Sequence, residues 1–202
     1  MLALYNDGNF FAPHEIPSEV QLAIADLVAK SGVDELVVQS LPQFITRAQV
    51  EPFVQRLGSV RLEVGIGLQS AHPFVRQVCV NTNFSNSQFE SAVAVLRLMG
   101  ASVKTYKIVA YLHRLGLTSA TLCPTRVAKN TLAHRLFLRQ LSQPPNLWSI
   151  VEVLRRTAFD MQLRVACINL RGSDFESIFP DSCPECADAI VAGLEPLADV
   201  AN

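Results

Sequence analysis

One segment, residues 63–108, constrains the fold more than any other because it reads as strand, polar loop, helix and strand. Apolar residues alternate with glycines up to Leu68, and the chain turns polar at Gln69 and Ser70. This pattern is typical of a buried parallel strand that ends at the carboxyl edge of a sheet. Ligands of parallel sheets bind at that edge, so the segment also marks a candidate site.

The helix inside this segment has a strong start signal. Ser85 is suited to cap it, and Gln88 stands three residues later, where it completes a capping box. Phe84 and Phe89 occupy the positions of a hydrophobic staple, and Gly100 is suited to end the helix. The segment therefore predicts a βαβ unit.

The same alternation runs through the rest of the chain. Helices are predicted at about residues 17–30, 46–58, 127–138 and 148–157, and the first carries Val20, Ile24, Leu27 and Val28 on one face. Further strands are predicted at residues 2–5, 35–39, 103–109, 120–123 and 163–168. This order predicts an α/β fold with mainly parallel strands and right-handed crossovers, as an open twisted sheet or an incomplete β/α barrel of the partial TIM type.

Composition favours one domain. The chain has 202 residues, half of them hydrophobic, and no flexible or charged linker divides it. We expect a single domain over residues 1–202, with a C-terminal helical segment that carries a CxxC motif from about residue 140. No apolar run approaches the roughly 20 residues of a membrane span, and the N-terminus has no basic region of a signal peptide. The expected location is cytoplasmic, without a membrane partner.

The charge balance gives no support for nucleic acid as a partner. The formal net charge is −1, so the chain lacks the overall positive charge typical of RNA-binding proteins. Arg126, Lys129, Arg135 and Arg139 cluster in one segment, where phosphate contacts are one interpretation. A solvated helix face is the favoured interpretation.

The loops, taken together and in order, carry a family resemblance. Six segments carry it: YNDGNFFAPHEIP, VVQSLPQFIT, EVGIGLQSAHPFVRQVCVNTNF, PTRVAKNTLAHRL, QPPNLWSIVEVL and RG followed by CPEC. The chain resembles the radical S-adenosylmethionine (SAM) superfamily, whose core is shared by the Elongator catalytic subunit, MiaB and NifB. It is most similar to the radical-SAM subunit of archaeosine synthase and its uncharacterised bacterial relatives, and the resemblance spans about residues 4–190.

The resemblance implies a [4Fe–4S] cluster that cleaves SAM to a carbon radical inside a partial barrel. In the family three cysteines spaced CxxxCxxC hold this cluster, and this chain contains no such triplet. Met1 aligns just before the second barrel strand, so we expect the N-terminal cluster-binding part to be missing. Gln39, Leu41 and Gln43 stand where relatives carry two acidic residues and an arginine, and Gln69 stands where the subgroup often has glutamate. We therefore expect a truncated or divergent chain that is not active alone.

Polar residues at the predicted strand ends form the first candidate site. By resemblance, six of them would hold SAM or substrate: Asp7, Asn9, Gln39, Ser40, Gln69 and Ser70. Lys104 and Tyr106 lie near the same predicted rim. The alternative is ordinary loop capping, because Asp7-Gly8-Asn9 is a good turn by itself.

Cysteines form the second candidate site. Cys183 and Cys186 have the CxxC spacing that lets two thiolates reach one metal ion, and Cys167 could supply a third sulfur to zinc or an iron–sulfur centre. A redox dithiol or two unrelated free cysteines are the alternatives. Cys79 and Cys123 read as small core residues.

The sequence leaves three functions open. One is a radical-SAM enzyme that acts on a modified nucleoside or a small molecule, and it requires the missing cluster ligands. Another is a cluster-free barrel remnant that binds a ligand or pairs with a complete subunit, and the third is a structural zinc-binding module. A missing first strand would leave residues 2–5 as an exposed sheet edge, so a second copy of the chain or a partner subunit is expected to cover it.

Overall fold

The computed structural model describes residues 1–6, 8–70, 72–105, 109–157, 161–166 and 177–197. The chain divides into two compact units, Met1–Ser119 and Ala120–Asn202, and each is described by itself. The single domain expected over residues 1–202, with its distinct segment from about residue 140, stays a prediction.

The first unit is built on a four-stranded parallel sheet. Its strands, in spatial and chain order, are β1 (Leu2–Leu4), β2 (Glu35–Gln39), β3 (Arg61–Ile66) and β4 (Ser102–Thr105). Neighbouring strands pair in parallel, and in this register Leu4 lies opposite Val38, Val38 opposite Val64, and Val64 opposite Val103. The predicted parallel α/β architecture is confirmed for these strands, while the incomplete barrel stays a prediction.

Helices connect these strands, and side-chain caps fix where two of them begin. The connections contain α1 (Ser18–Ala29), α2 (Arg47–Leu57) and α3 (Asn86–Leu98). Thr46 accepts a hydrogen bond from the Gln49 N–H, which caps α2. Ser85 and Gln88 exchange the two hydrogen bonds of a capping box at α3, so the predicted start of that helix is confirmed.

The structure also places a fourth helix, α4 (Val109–Arg114), where the sequence pattern extended a strand to residue 109. The prediction is wrong at that residue, and residues 106–108 lie outside the described part of the chain. Tyr111 of α4 is buried and donates a hydrogen bond to Glu90 of α3 over 2.6 Å. Arg97 of α3 donates to the Leu115 carbonyl over 2.8 Å, so two side-chain contacts join these helices.

An aromatic cluster fills the core beside β2. The rings of Phe10, Phe11 and Phe53 meet edge to face with centroid distances of 5.2 to 5.5 Å, and all three are fully buried. Such pairs add about 0.5–1.5 kcal/mol each to the free energy of area burial. The cluster anchors the loop after β1, which carries candidate site residues.

The buried face of α1 differs from the predicted one. Val20 and Leu27 are 44% and 70% exposed, whereas Gln21, Ala25 and Val28 are buried. The two faces overlap at Val28 and differ by about one residue of helical rotation. The polar Gln21 can face inward because its amide donates to the Ile16 carbonyl over 2.7 Å. Hydrophobicity alone therefore selected the wrong face.

In the described residues of the second unit, two small sheets and three α-helices are present. Strand β5 (Ser119–Leu122) pairs with β7 (Gln162–Val165), and β6 (Val127–Ala128) pairs antiparallel with β8 (Ser177–Ile178). The helices are α5 (Leu132–Leu138), α6 (Leu147–Thr157) and α7 (Pro184–Leu194). The predicted strand at 120–123 and helix at 148–157 are confirmed to within a residue, and the last part of the predicted strand at 163–168 lies outside the described residues.

The helix predicted over residues 127–138 begins later than expected. Val127 and Ala128 form β6, and Asn130 has a φ of 66°, which interrupts helical geometry. Thr131 then accepts a hydrogen bond from the His134 N–H and caps α5. Across the described parts of both units, no helix combines the length and apolar character required to span a membrane.

Candidate functional site

A cavity of about 250 Å³ lies at the carboxyl ends of the first three strands. The loops after β1, β2 and β3 all contribute to it. Its described lining residues are Gly8, Asn9, Gln39, Ser40, Leu41, Gly65, Gly67, Gln69, Thr82 and Phe84. Four of the six residues predicted to hold a ligand are thus brought together.

The register of the sheet explains why Gln39 faces the cavity. Gln39, Gly65 and Lys104 pair in sequence across β2, β3 and β4, so their side-chain positions lie on the same face of the sheet. A Cβ atom at Gly65 would lie 3.1 Å from the Gln39 Cγ atom. Glycine at this position therefore leaves the space that the Gln39 side chain occupies.

Gly67 performs a similar role for Gln69. A Cβ atom at Gly67 would lie 2.9 Å from the Gln69 Nε2 atom, closer than ordinary van der Waals contact. Gln69 itself has a φ of 61°, a left-handed conformation that costs a residue other than glycine about 1–3 kcal/mol. Such a conformation persists only where the surrounding structure holds it, and it sets the direction of the Gln69 side chain.

Asn9 organises the loop after β1. Its Oδ1 atom accepts a hydrogen bond from the Leu41 N–H over 2.8 Å, and its amide donates to Glu15 over 2.6 Å. Hydrogen bonds from the Asn9 side chain and backbone lower the pKa of Glu15. Asn9 therefore joins two loops at the rim.

Ser40 is buried at the end of β2. Its Oγ atom accepts a hydrogen bond from the Phe11 N–H over 3.4 Å, and its own N–H donates to the Gly65 carbonyl over 3.1 Å. A hydroxyl that accepts one hydrogen bond still has a proton to donate. Because Ser40 lines the cavity, its hydroxyl is suited to donate that proton to a ligand there.

Ser70, another predicted ligand-binding residue, is not among the described lining residues of the cavity. Ser70 forms a turn, in which its hydroxyl accepts from the His72 N–H over 3.1 Å and its carbonyl accepts from Arg76 over 2.9 Å. Asp7 lies outside the described residues, as does Tyr106. The ligand-binding role of both Asp7 and Ser70 stays a prediction.

Two residues that support the rim were missed by sequence reasoning. Arg76 is fully buried, donates to the Phe84 carbonyl over 3.2 Å and lies 5.4 Å from the centroid of the Phe84 ring. A single arginine inside the apolar run PFVRQVCV was the available signal. Glu15 is the second residue that sequence reasoning missed, and it stands six residues after Asn9 in a turn-rich loop.

The chemistry of the cavity is that of neutral amides and hydroxyls. Among the described lining residues none carries a charged side chain. Amides and hydroxyls offer both donors and acceptors, but they do not hold an ion by charge. The volume is below the 300–1,000 Å³ typical of pockets for whole drug-sized ligands. The cavity therefore suits one polar end of a small molecule.

The cysteines of the second unit occupy the start of α7. Cys183 is the N-cap residue, and its carbonyl accepts a hydrogen bond from the Cys186 N–H over 3.0 Å. A side-chain hydrogen bond with Cys183, followed by burial, raises the pKa of Cys186. Cys167 lies outside the described residues. Within the described ranges no group of three histidine, cysteine or acidic side chains is placed to bind a metal ion, so the predicted metal site stays a prediction.

The donor set does not fit a [4Fe–4S] cluster of the type the family resemblance implies. That cluster needs three thiolates at one site. Of the three cysteines whose side chains are described, Cys183 and Cys186 stand together on α7, and Cys123 follows β5. With neither the triplet spacing in the sequence nor a third neighbouring thiol among the described residues, we derive no chemistry through a cluster bound by this chain.

Comparison with known proteins gives distant relatives. Archaeosine synthase subunit beta of Thermococcus kodakarensis is 28% identical over 169 residues, which are 75% of this chain and 52% of that protein. The same-named protein of Methanosarcina acetivorans is 26% identical over 176 residues, 77% of this chain and 50% of that protein. An uncharacterized protein of Methanocaldococcus jannaschii is 23% identical over 171 residues, 75% of this chain and 47% of that protein.

These matches support a relationship to archaeosine synthase. The chain spans about half the length of the curated relatives it matches. No protein-family model matches the chain, and no solved structure matches it significantly.

Proposed function

We propose that this chain is a divergent member of the radical SAM superfamily with a role in archaeosine synthesis, and that its strand-end cavity binds SAM or one end of the substrate. The observation that carries the proposal is the convergence of Asn9, Gln39, Ser40 and Gln69 on one cavity. These are four of the six residues to which the family resemblance assigns ligand binding. The matches to archaeosine synthase subunit beta provide independent support.

The cavity suits the amino-acid end of SAM. The Ser40 hydroxyl and glutamine amides can donate hydrogen bonds to a carboxylate, and amide oxygens can accept them from an ammonium group. Because the lining is neutral, each contact contributes less than a hydrogen-bonded ion pair with a charged side chain would. We expect weak binding by the chain alone.

A partner subunit would supply the three cluster-binding cysteines, since this sequence contains no CxxxCxxC motif. The two relatives named above are called subunits, which is consistent with a protein that works in an assembly. In the proposal a second polypeptide carries the iron–sulfur cluster, and the present chain contributes binding and positioning groups. An RNA partner remains without support from the net charge of −1.

Calorimetric titration of the full chain with SAM tests the binding step. Ser40→Ala should weaken binding roughly 10- to 150-fold, because a hydrogen bond to a charged group such as a carboxylate contributes about 1.5–3 kcal/mol. Gln39→Ala should have a similar effect. Gln55→Ala on the exposed face of α2 is the matched control and should bind as the unaltered chain does. Absence of SAM binding, or equal affinities for the Gln39 and Gln55 variants, would contradict the proposed site.

Anaerobic reconstitution with iron and sulfide tests the partner step. The chain alone should retain no stoichiometric cluster, because its described thiols do not form a set of three. A stoichiometric [4Fe–4S] cluster on the chain by itself would overturn the requirement for a second polypeptide.

A further inference from the structure

The CxxC motif places two thiols on one turn at the start of α7. Cys183 is the N-cap, Pro184 is the first helical residue and Cys186 is the third. The N–H groups of Cys186 and Ala187 both donate to the Cys183 carbonyl over 3.0 Å, which fixes this turn. Residues three apart on a helical turn have side chains about 5–6 Å apart at Cβ, so only small side-chain and backbone adjustments separate this geometry from that of a disulfide.

The two thiols differ in accessibility. Cys183 is exposed, whereas Cys186 is partly buried and borders an apolar groove of about 800 Å³ in the second unit. Trp148, Leu154 and Leu163 are among the other residues that line this groove. A reagent in solution therefore reaches Cys183 more easily than the partly buried Cys186.

The surroundings favour dithiol chemistry over metal binding. Cys183 and Cys186 stand at the two ends of one backbone turn, in which the Cys186 N–H donates to the Cys183 carbonyl over 3.0 Å, so their side chains start from neighbouring positions. Both cysteines are free, and within the described ranges no third metal-binding side chain approaches them. Two adjacent thiols of unequal exposure are the arrangement that sequential thiol–disulfide exchange requires.

We propose that Cys183 and Cys186 form a reversible disulfide by exchange with a low-molecular-weight disulfide. The Cys183 thiolate attacks one sulfur of the external disulfide, which breaks that bond, forms a mixed disulfide and releases one thiolate. Cys186 then loses its proton to solvent and attacks the Cys183 sulfur, which forms the internal disulfide and releases the second thiolate. Two electrons pass to the external disulfide, which leaves as two thiols once protonated. This activity is independent of ligand binding in the strand-end cavity.

Equilibration of the metal-free full chain with reduced and oxidised glutathione tests the proposal. After acid quenching and maleimide labelling, mass spectrometry should show two labels lost together, on the peptide that contains both cysteines. The oxidised fraction should follow a two-electron dependence on the glutathione ratio. Failure of this pair to oxidise at any ratio would overturn the proposal.

Single variants test the order of attack. Cys186→Ser should accumulate a mixed disulfide with glutathione at Cys183, because the second thiol is absent. Cys183→Ser should modify at least 10-fold more slowly, since the remaining thiol is shielded. Cys123→Ser is the matched control and should still form the internal disulfide. Equal rates for the first two variants would contradict the assigned order. Stoichiometric zinc that blocks oxidation in the protein as isolated, and whose removal gives no internal disulfide, would favour a metal site instead.

Discussion

At the scale of single residues, two glycines determine the candidate site as much as its polar groups do. A Cβ atom at Gly65 would lie 3.1 Å from the Gln39 side chain, and one at Gly67 would lie 2.9 Å from the Gln69 side chain. Sequence reasoning identified the glutamines, because polar residues at the end of an apolar strand are informative. The sequence alone does not show that Gln39 lies beside Gly65, because this contact depends on the register between β2 and β3.

Tyr111 makes the stability of the fold dependent on pH, which can be tested. Burial, together with the hydrogen bond to Glu90, raises the pKa of Tyr111 to about 12. A phenol whose pKa is higher in the folded chain stabilises the fold below pH 10, and this contribution is lost as pH rises toward 12. The loss arises because the unfolded chain releases its proton first.

Replacement Tyr111→Phe should therefore change the pH dependence of stability. At neutral pH the variant should lose about 1 kcal/mol, because the hydrogen bond to Glu90 is absent. Between pH 10 and 12 the difference from the unaltered chain should shrink. Urea unfolding of both proteins at each pH measures this difference, and parallel curves would contradict the raised pKa.

At the scale of elements, the starts of α2 and α3 were predictable from the sequence, whereas the buried face of α1 and the start of α5 were not. Ser85 and Thr46 act through partners three residues away, so the sequence contains the whole interaction. The face of α1 depends instead on what packs against it, and the polar Gln21 is inward because Ile16 supplies an acceptor. The late start of α5 depends on β6, whose partner strand is about 50 residues away in the sequence.

The capping box of α3 predicts how substitutions at Ser85 change the free energy of unfolding. Ser85→Ala should lower the free energy of unfolding by about 1 kcal/mol, because the Gln88 N–H loses its acceptor. Ser85→Gly should cost only a few tenths of a kcal/mol, since glycine is tolerated at an N-cap. Chemical denaturation compares the two variants. Equal losses would show that the side-chain hydrogen bond is not what stabilises this start.

At the scale of the whole molecule, β1 ends the four-stranded sheet and α1 carries exposed apolar residues. Among the strands that the structure describes, β1 pairs on one side only, with β2. Val20 and Leu27 of the connecting helix are exposed as well. A sheet edge of this kind is normally covered, so the expectation of a second copy or a partner subunit stays a prediction with a defined surface.

Substitution on α1 tests self-association through the exposed apolar residues of that helix. If two copies bury Leu27 against each other, Leu27→Lys should raise the dimer dissociation constant at least about 100-fold, because each copy loses the burial of one leucine. Leu98→Lys on α3 is the matched control, with 68% exposure against 70% for Leu27. Light scattering over a range of concentrations measures the change. A monomer at every concentration would leave a different polypeptide as the only expected partner.

The order of strands in the first unit also bears on how the chain is made. Because β1, β2, β3 and β4 are neighbours in the order in which they are synthesised, each new strand finds its partner already outside the ribosome. Sheet growth need not wait for a distant segment, which shortens the time during which an unpaired apolar strand is exposed.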